Sequence, residues 1–167
     1  MGKETIVGST GIGVGYIHYG SRAFDPLRFM PIKNVECMSK PNGGLWGSPV
    51  GAEYGWDKLC AEKGLGDCSE EDSFGFTLVD GSKVCHINSA KDLRKLPRIK
   101  TFSAPYMWVC LDFERIVVNG VDAIQLNIGS ERFTAKHERL CNKLYGWDCD
   151  TILVLNKNAI IEIGGKT

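Results

Sequence analysis

The chain has 167 residues, of which 43% are hydrophobic, so it can bury one core but is short for two. Lys plus Arg and Asp plus Glu both number 20, and this balance, without any block of like charge, argues against general nucleic-acid binding. No apolar run approaches the roughly 18 residues of a membrane span, so we expect no membrane partner.

The cysteines indicate the redox environment. They are odd in number, contain no Cys-x-x-Cys motif and follow no signal peptide, which together predict free thiols in a reducing compartment. We therefore expect a cytoplasmic protein. The seven cysteines are Cys37, Cys60, Cys68, Cys85, Cys110, Cys141 and Cys149.

The N-terminal residues are rich in glycine and superficially similar to a dinucleotide-binding loop. Such a loop requires a helix to open directly after the glycines. Here Tyr16-Ile17-His18-Tyr19 follows instead, and aromatic and β-branched residues favour a strand. We therefore predict a flexible lead-in over residues 1–15 and a single domain over residues 16–167, which begins with a strand that carries His18.

The next segments contain the stretch richest in glycine. The prolines at positions 26, 31 and 41 predict a short helix and a long loop over residues 22–40. Three glycines surround Trp46 in residues 42–49, which predicts a tight loop whose backbone can approach a ligand closely. Apolar residues at near-helical spacing then predict one amphipathic helix from Ala52 to Cys60, stopped by Gly64.

The second half of the chain contains predicted strands and helices in an irregular order. The turn residues Asp80-Gly81-Ser82 separate two strand-like runs, residues 74–79 and 83–87, and predict a hairpin. Ser89 is a typical N-cap for a short helix that ends before Pro97. The remaining periodic segments predict helices at 103–119 and 131–145 and strands at 121–126, 151–155 and 159–163.

This order of elements predicts the fold class. Strands and helices are mixed without a regular alternation, which is typical of α+β domains. We therefore expect a single domain in which helices pack on a mainly antiparallel sheet.

Three short motifs follow one another along the predicted strands. The first strand contains His18-Tyr19-Gly20-Ser21, and the second motif is Gly44-Leu45-Trp46-Gly47-Ser48. An acidic residue, Asp150, precedes the late apolar strand. This order resembles the ADP-ribosyltransferase family, in its small stand-alone bacterial and phage form, over roughly residues 16–163. The resemblance implies a split antiparallel sheet, NAD as cofactor and a macromolecular acceptor.

The resemblance also assigns roles to these residues, and the roles agree with their chemistry. Cleavage of the bond between nicotinamide and ribose builds an oxocarbenium-like cation, which a nearby carboxylate favours. Asp150 is expected in that role, and His18 is expected to hydrogen-bond a ribose hydroxyl. The residues expected to contact NAD are His18, Tyr19, Gly20, Ser21, Gly44, Trp46 and Ser48.

Two positions depart from the family pattern. The acidic residue is usually Glu, whereas this chain has Asp148 and Asp150, which share one face of an extended backbone. Either could be the catalytic carboxylate. The aromatic residue of the second motif is usually Tyr, whereas this chain has Trp46, so the pocket is expected to differ in shape.

The predicted function is therefore NAD-dependent mono-ADP-ribosylation of a protein or another macromolecule, as by an effector that inactivates a host factor. One alternative is a non-enzymatic binding or inhibitor protein on the same scaffold. A second is a cysteine-dependent or metal-dependent hydrolase. His137 and Cys141 are four residues apart on a predicted helix, a spacing that suits two metal ligands but favours a structural pair here because no second pair matches it.

Overall fold

Seven strands in one sheet and a few short helices form the described part of the fold. The computed structural model describes residues 15–66, 68–100, 109–129, 135, 138, 140 and 142–163. The strands are β1 (Tyr16–Tyr19), β2 (Leu45–Pro49), β3 (Ser73–Leu78), β4 (Val84–Ile87), β5 (Ala123–Leu126), β6 (Thr151–Val154) and β7 (Ile160–Ile163). The helices with described bounds are α1 (Trp56–Lys63), α2 (Ala90–Leu93) and α3 (Phe113–Val118), and a 3-10 helix covers Lys157–Ala159.

The sheet is mixed and mainly antiparallel. Its strand order is β4-β5-β6-β2-β1-β3-β7. Only β4 and β5 run parallel among the strand pairs of the described residues, and the other pairs are antiparallel. The expected single-domain α+β fold on a mainly antiparallel sheet is therefore confirmed at this level.

The core lies on both faces of the sheet, because successive residues of a strand point to opposite faces. In β6, Ile152 and Val154 join one core cluster, with Phe74 and Phe76. Leu153, between them, joins the other cluster, which contains Phe113. These three β6 side chains are fully buried, so β6 is an interior strand of the sheet.

The helices begin and end where local chemistry favours it. The Ser89 side chain accepts the backbone N–H of Asp92 at the start of α2, and the Asp112 side chain accepts that of Arg115 at the start of α3. Gly64 follows α1 in the left-handed conformation, which costs glycine little. The predicted caps and stop at these positions are confirmed at Ser89 and Gly64.

The strands β1 and β2 pair over a short distance only. Their register covers Tyr16 with Pro49 and Ile17 with Ser48, and then stops. Beyond that point β1 continues to pair with β3 as far as Tyr19, while β2 continues along β6. The two halves of the sheet therefore part beyond Ile17, and the gap between them opens at His18.

Two predictions about the sheet were wrong. The hairpin at Asp80-Gly81-Ser82 does not form, since β3 pairs with β1 and β7 while β4 pairs with β5, near the opposite edge of the sheet. The turn itself exists, with the Ser82 N–H donating to the Val79 carbonyl. Burial of the two strands against different partners decides the pairing, and turn chemistry alone does not.

The stretch around Trp46 was also assigned wrongly. Residues 45–49 form the interior strand β2, and not a loop, because Leu45 and Gly47 pair with β6 and are buried. Residues 22–40 contain no helix, only turns and an isolated bridge between Lys33 and Asn42. These extended and turned segments are consistent with the prolines, which remove backbone donors.

The long helices predicted in the second half are shorter or undescribed. Of residues 103–119, only Phe113–Val118 is helical among those described, and residues 103–108 lie outside the described residues. Of residues 131–145, positions 135, 138 and 140 are helical, residues 142–145 form turns, and the others lie outside the description. The part of the chain that the structure describes contains no helix that could cross a membrane.

The cysteines are not all free. Cys60, at the buried face of α1, and Cys68 are joined in a disulfide, so the prediction of free thiols is wrong for this pair. Cys85, Cys110 and Cys149 are free thiols among the described residues.

Candidate functional site

A cleft of about 450 Å³ lies where β1 and β2 part. The ends of β1 and β2 form two of its walls, and the chain that enters β6 forms a third. Its described lining consists of residues 17–20, 40–41, 46–48, Trp56, 146–149 and Thr151. The cleft therefore gathers residues of the first two sequence motifs and the segment around Asp150, although Asp150 itself is not in the lining.

His18 occupies the gap between the two strands. Its Nδ1 lies 2.7 Å from the Trp46 carbonyl oxygen, and because a carbonyl only accepts, Nδ1 carries the proton. In the neutral ring, Nε2 is then a free acceptor. The ring packs on Phe74, the partner of His18 across the β1–β3 pair, with ring centroids 5.1 Å apart. This packing and this bond hold the imidazole in one orientation.

Gly20 keeps the approach to the His18 ring open. Its φ of +110° is in the region that favours glycine, and its N–H donates to the Asp72 carbonyl. A Cβ built on Gly20 would have the His18 Nε2 as its nearest atom, at 4.0 Å. Any larger side chain would therefore extend from a position beside the free nitrogen.

The two candidate carboxylates have opposite surroundings. Asp148 lines the cleft, is exposed and makes no hydrogen bond or ion pair with the described residues. Asp150 is only 6% exposed and does not line the cleft. The structure therefore brings Asp148, and not Asp150, together with His18.

Asp150 is held by the backbone. Its Oδ1 accepts the N–H groups of Ile128, at 2.5 Å, and Gly129, at 2.7 Å, and its Oδ2 accepts that of Tyr54 at 3.4 Å. Its own N–H donates to the Tyr54 carbonyl. A Cβ on Gly129 would collide with Oδ2, so glycine is required beside the carboxylate. This carboxylate joins three chain segments and has a structural role.

Trp46 forms a wall of the cleft with two close neighbours. Its ring contacts that of Trp147 edge to face, with centroids 4.9 Å apart. The Lys40 ammonium lies over the Trp46 ring, 5.2 Å from its centroid. Trp147 is itself fixed, since its indole N–H donates to the Ser39 carbonyl and its ring stacks on Phe113. The wall is therefore rigid.

The other residues predicted to contact NAD divide into two groups. Tyr19 and Ser48 line the cleft, and Ser48 is also structural because its Oγ accepts the N–H of Trp56 at the start of α1. Ser21 lies outside the cleft lining, where its hydroxyl donates to the Ala23 carbonyl. Gly44 lies outside it too, and a Cβ there would strike Ile32 and Leu153 at less than 3 Å.

Gly44 therefore serves packing and not ligand contact. Its φ of +73° and its N–H bond to the Met30 carbonyl belong to the turn that leads into β2.

Cys149 is the one free thiol in the described lining of the cleft. Burial raises the pKa of this thiol to about 12, and the negative charge of Asp150 adds to the effect. Because this pKa lies far above 7, the thiol stays protonated at neutral pH, and a protonated thiol is a poor nucleophile. The cysteine-dependent hydrolase therefore has no support from this residue.

The described residues also contain no group of three or more potential metal ligands. Of the pair considered as ligands, His137 and Cys141 both lie outside the described residues.

Sequence reasoning missed three cleft residues, which are Lys40, Trp56 and Trp147. The position of Lys40, one residue before Pro41 and the glycine-tryptophan stretch, was the available signal. Trp56 belongs to the amphipathic helix that the sequence predicts, and it lines the cleft from the first turn of α1. No local pattern distinguishes Trp147, which reaches the cleft through long-range packing.

Comparisons with protein-family models, curated proteins and solved structures found no match to this chain. The residues of the cleft are therefore the basis for any functional assignment.

Proposed function

We propose that this protein is an NAD-dependent mono-ADP-ribosyltransferase that modifies a protein target. The observation that carries the proposal is the cleft where β1 and β2 part. It places the His18 Nε2 and the Asp148 carboxylate in one cavity, and neither group has a hydrogen-bond partner among the described residues. The strand order agrees with the motif order, since β6, entered through Asp148, pairs with β2, which pairs with β1.

The cleft has the groups that the reaction needs. The bond between the ribose C1′ and the nicotinamide nitrogen breaks with its electron pair passing to nicotinamide. The acceptor atom then bonds to C1′ and loses its proton. A carboxylate near C1′ favours the positive charge that develops in between, and Asp148 is the exposed acid of the described lining.

His18 orients the substrate in this account. Its Nδ1–H is committed to the Trp46 carbonyl, so Nε2 accepts a hydroxyl from the ribose of NAD. Fixing the ribose in this way lowers the entropy cost of reaching the reactive geometry. The aromatic wall of Trp46 and Trp147 and the Ile17 side of the cleft provide apolar surface for the nicotinamide ring.

Asp148 replaces Asp150 as the proposed catalytic carboxylate. The reason is that Asp150 is buried and already accepts three backbone N–H groups, whereas Asp148 is exposed in the cleft. A protein acceptor and an effector-like role that inactivates a host factor are further parts of the proposal, and they rest on the resemblance of the motifs alone. A cytoplasmic location is also proposed, and it rests on the cysteine pattern of the sequence.

A second candidate is a non-enzymatic binding or inhibitor protein that uses the same cleft. One observation favours it, which is that the acid directly before β6, the position the resemblance gives to the catalytic residue, is engaged in structural bonds. Such a protein would hold a ligand against the Trp46 wall without cleaving it.

The test incubates the pure protein with NAD labelled in its adenylate phosphate and with a bacterial lysate. The wild type is compared with Asp148→Asn and His18→Ala, and with Asp122→Asn as a matched acidic control outside the cleft. The proposal expects a labelled band that disappears in the two cleft variants and persists in the control. Absence of label together with absence of nicotinamide release in the wild type would favour the non-enzymatic candidate.

A further inference from the structure

Lys40 is the one lysine or arginine in the described lining of the cleft. Its side chain is half-buried, and its ammonium lies over the Trp46 ring. Within the described residues this ammonium makes no hydrogen bond and no ion pair. A lysine with three donors is thus held in a cavity by an aromatic face alone.

The backbone around Lys40 is shaped for this placement. Gly146 has a φ of +84°, and a Cβ built there would lie 3.2 Å from the Lys40 Cε and 3.6 Å from its Nζ. The lysine stem therefore passes directly over a residue that has no side chain. Trp147, which follows Gly146, contacts the Trp46 ring edge to face. The Lys40 side chain therefore lies against the Gly146 backbone along its stem and over the Trp46 ring at its ammonium.

One carboxylate shares the described lining of the cleft with Lys40. Asp148 is two residues beyond Gly146 and also lines the cleft, but it forms no ion pair with Lys40. A half-buried ammonium without an acceptor gains strongly from an anion, because charge-assisted hydrogen bonds are shorter and stronger than neutral ones. Phosphate oxygens are acceptors of this kind, and lysine binds phosphate as a point charge.

We propose that Lys40 binds a phosphate group of the ligand, so that the cleft selects pyrophosphate-bearing nucleotides over uncharged nucleosides. The inference rests on the proposed function in one respect, that NAD supplies the pyrophosphate. The cleft then divides its ligand between two ends. His18 and Asp148 contact the ribose that reacts, and the Lys40 ammonium contacts the phosphates.

The experiment measures binding by calorimetry with three probes, which are ADP-ribose, inorganic pyrophosphate and adenosine. The variants are Lys40→Met, Lys40→Arg and, as a matched control, Lys91→Met, which removes the same charge from an exposed position on α2. We expect Lys40→Met to weaken ADP-ribose binding by at least about tenfold and to leave adenosine binding unchanged. Lys40→Arg should retain most of the affinity, and Lys91→Met all of it.

Two further measurements distinguish the loss of a phosphate contact from structural damage to the cleft. The salt dependence of ADP-ribose binding should be weaker in Lys40→Met than in the wild type, because one charge pair is missing. Thermal unfolding of both Lys40 variants should show that they remain folded. ADP-ribose affinity within about twofold of the wild type in Lys40→Met, or no binding of ADP-ribose and pyrophosphate by the wild type, would overturn the inference.

The outcomes also separate this inference from the proposed function. Binding that depends on Lys40, without any release of nicotinamide from NAD, would support the phosphate contact and overturn the transferase. Turnover of NAD by the wild type, with Lys40→Met unchanged in affinity for ADP-ribose, would overturn the phosphate contact alone.

Discussion

Two cavities of nearly equal size differ in whether their carboxylates are bonded to other groups of the protein. The cleft between β1 and β2 has a volume of about 450 Å³. A second cavity, here called the groove, has about 470 Å³ and lies at the other end of β6. The described lining of the groove consists of Phe29, Pro31, Ile32, Glu114, Val117, residues 120–122 and residues 155–158.

The carboxylates of the groove are engaged within the protein. Asp122 accepts the N–H of Lys83 and the side-chain amide of Asn156, both at 2.8 Å. Glu114 forms an ion pair with Lys33 at 2.9 Å and accepts the N–H of Asn34. These groups hold the loops together and have little capacity left for a ligand.

In the cleft, by contrast, a carboxylate, an ammonium and one imidazole nitrogen make no hydrogen bond or ion pair with the described residues. The volume of a cavity therefore does not identify the site here. Polar groups without partners that converge on one cavity identify it, because a fold with no ligand to bind would be more stable if these groups were paired within the protein.

The largest expected effect comes from the acid that lies outside the cleft. Asp150→Ala should lower the free energy of unfolding by at least about 3 kcal/mol, since three backbone N–H groups lose a charged acceptor. Urea denaturation followed by circular dichroism measures this loss. Unchanged stability in Asp150→Ala would contradict the structural role and return Asp150 to consideration as the catalytic acid.

Asp148→Asn should lower the activity and leave the stability almost unchanged, the reverse of the effect on stability expected for Asp150→Ala. NAD cleavage is expected to fall by about a hundredfold or more, because the carboxylate that favours the developing cation is removed. The free energy of unfolding should stay within about 0.5 kcal/mol of the wild type, since Asp148 is exposed and unpaired. Nicotinamide release and urea denaturation of the same preparation provide both values. Activity that survives in folded Asp148→Asn would remove this residue from the mechanism.

His18→Ala should reduce NAD cleavage by about ten- to a hundredfold through lost positioning of the ribose. His18→Gln is the sharper variant, because its amide can donate to the Trp46 carbonyl and still present an acceptor. We expect it to recover part of the rate. Equal loss in both variants, with normal folding, would indicate that the imidazole acts in another way.

The groove provides the matching negative prediction. Asp122→Ala should cost about 1 kcal/mol of stability, because the Lys83 N–H and the Asn156 amide lose their acceptor. NAD binding and cleavage should not change. Calorimetric titration with NAD checks this, and weaker binding in the variant would move the ligand from the cleft to the groove.

The smallest expected effect concerns a paired acid at the far edge of the sheet. Hydrogen bonds from Lys95 and Ser89 lower the pKa of Asp92 to about 2. Since Asp in an unfolded chain has a pKa of about 3.9, the Asp92 carboxylate stabilises the fold above about pH 4, and this contribution disappears as pH falls toward 2. The thermal midpoint of the wild type should drop more steeply over that range than that of Asp92→Asn.

The sequence was a good guide where one local signal decides the structure. Strands β1, β3, β5, β6 and β7, the α1 helix and the Ser89 cap follow from periodicity and capping residues. The strand pairing was not predictable in this way, because β3 and β4 separate to distant places in the sheet through long-range burial. The interior position of Leu45–Pro49 was hidden by the glycines in and before it. Gly47 is required because Phe76 and Ile152 pack against it.

The candidate site was also predictable only where a local motif identifies the residue. His18, Trp46 and Ser48 belong to motifs that the sequence displays, and the structure gathers them in one cleft. The choice between Asp148 and Asp150 depends on three backbone donors from residues 54, 128 and 129, which no local pattern near the acids indicates. Lys40 was missed because its role depends on a ring contact and on Gly146, 106 positions away.

Hydrogen exchange with and without saturating NAD tests the central claim most directly, because it reports on the cleft and the groove in one experiment. We predict that NAD slows hydrogen exchange in peptides that contain residues 17–20, 46–48 and 146–149 and leaves exchange at residues 155–158 unchanged. Protection at residues 155–158 and 120–122, or no protection anywhere, would contradict the assignment of the cleft as the NAD site.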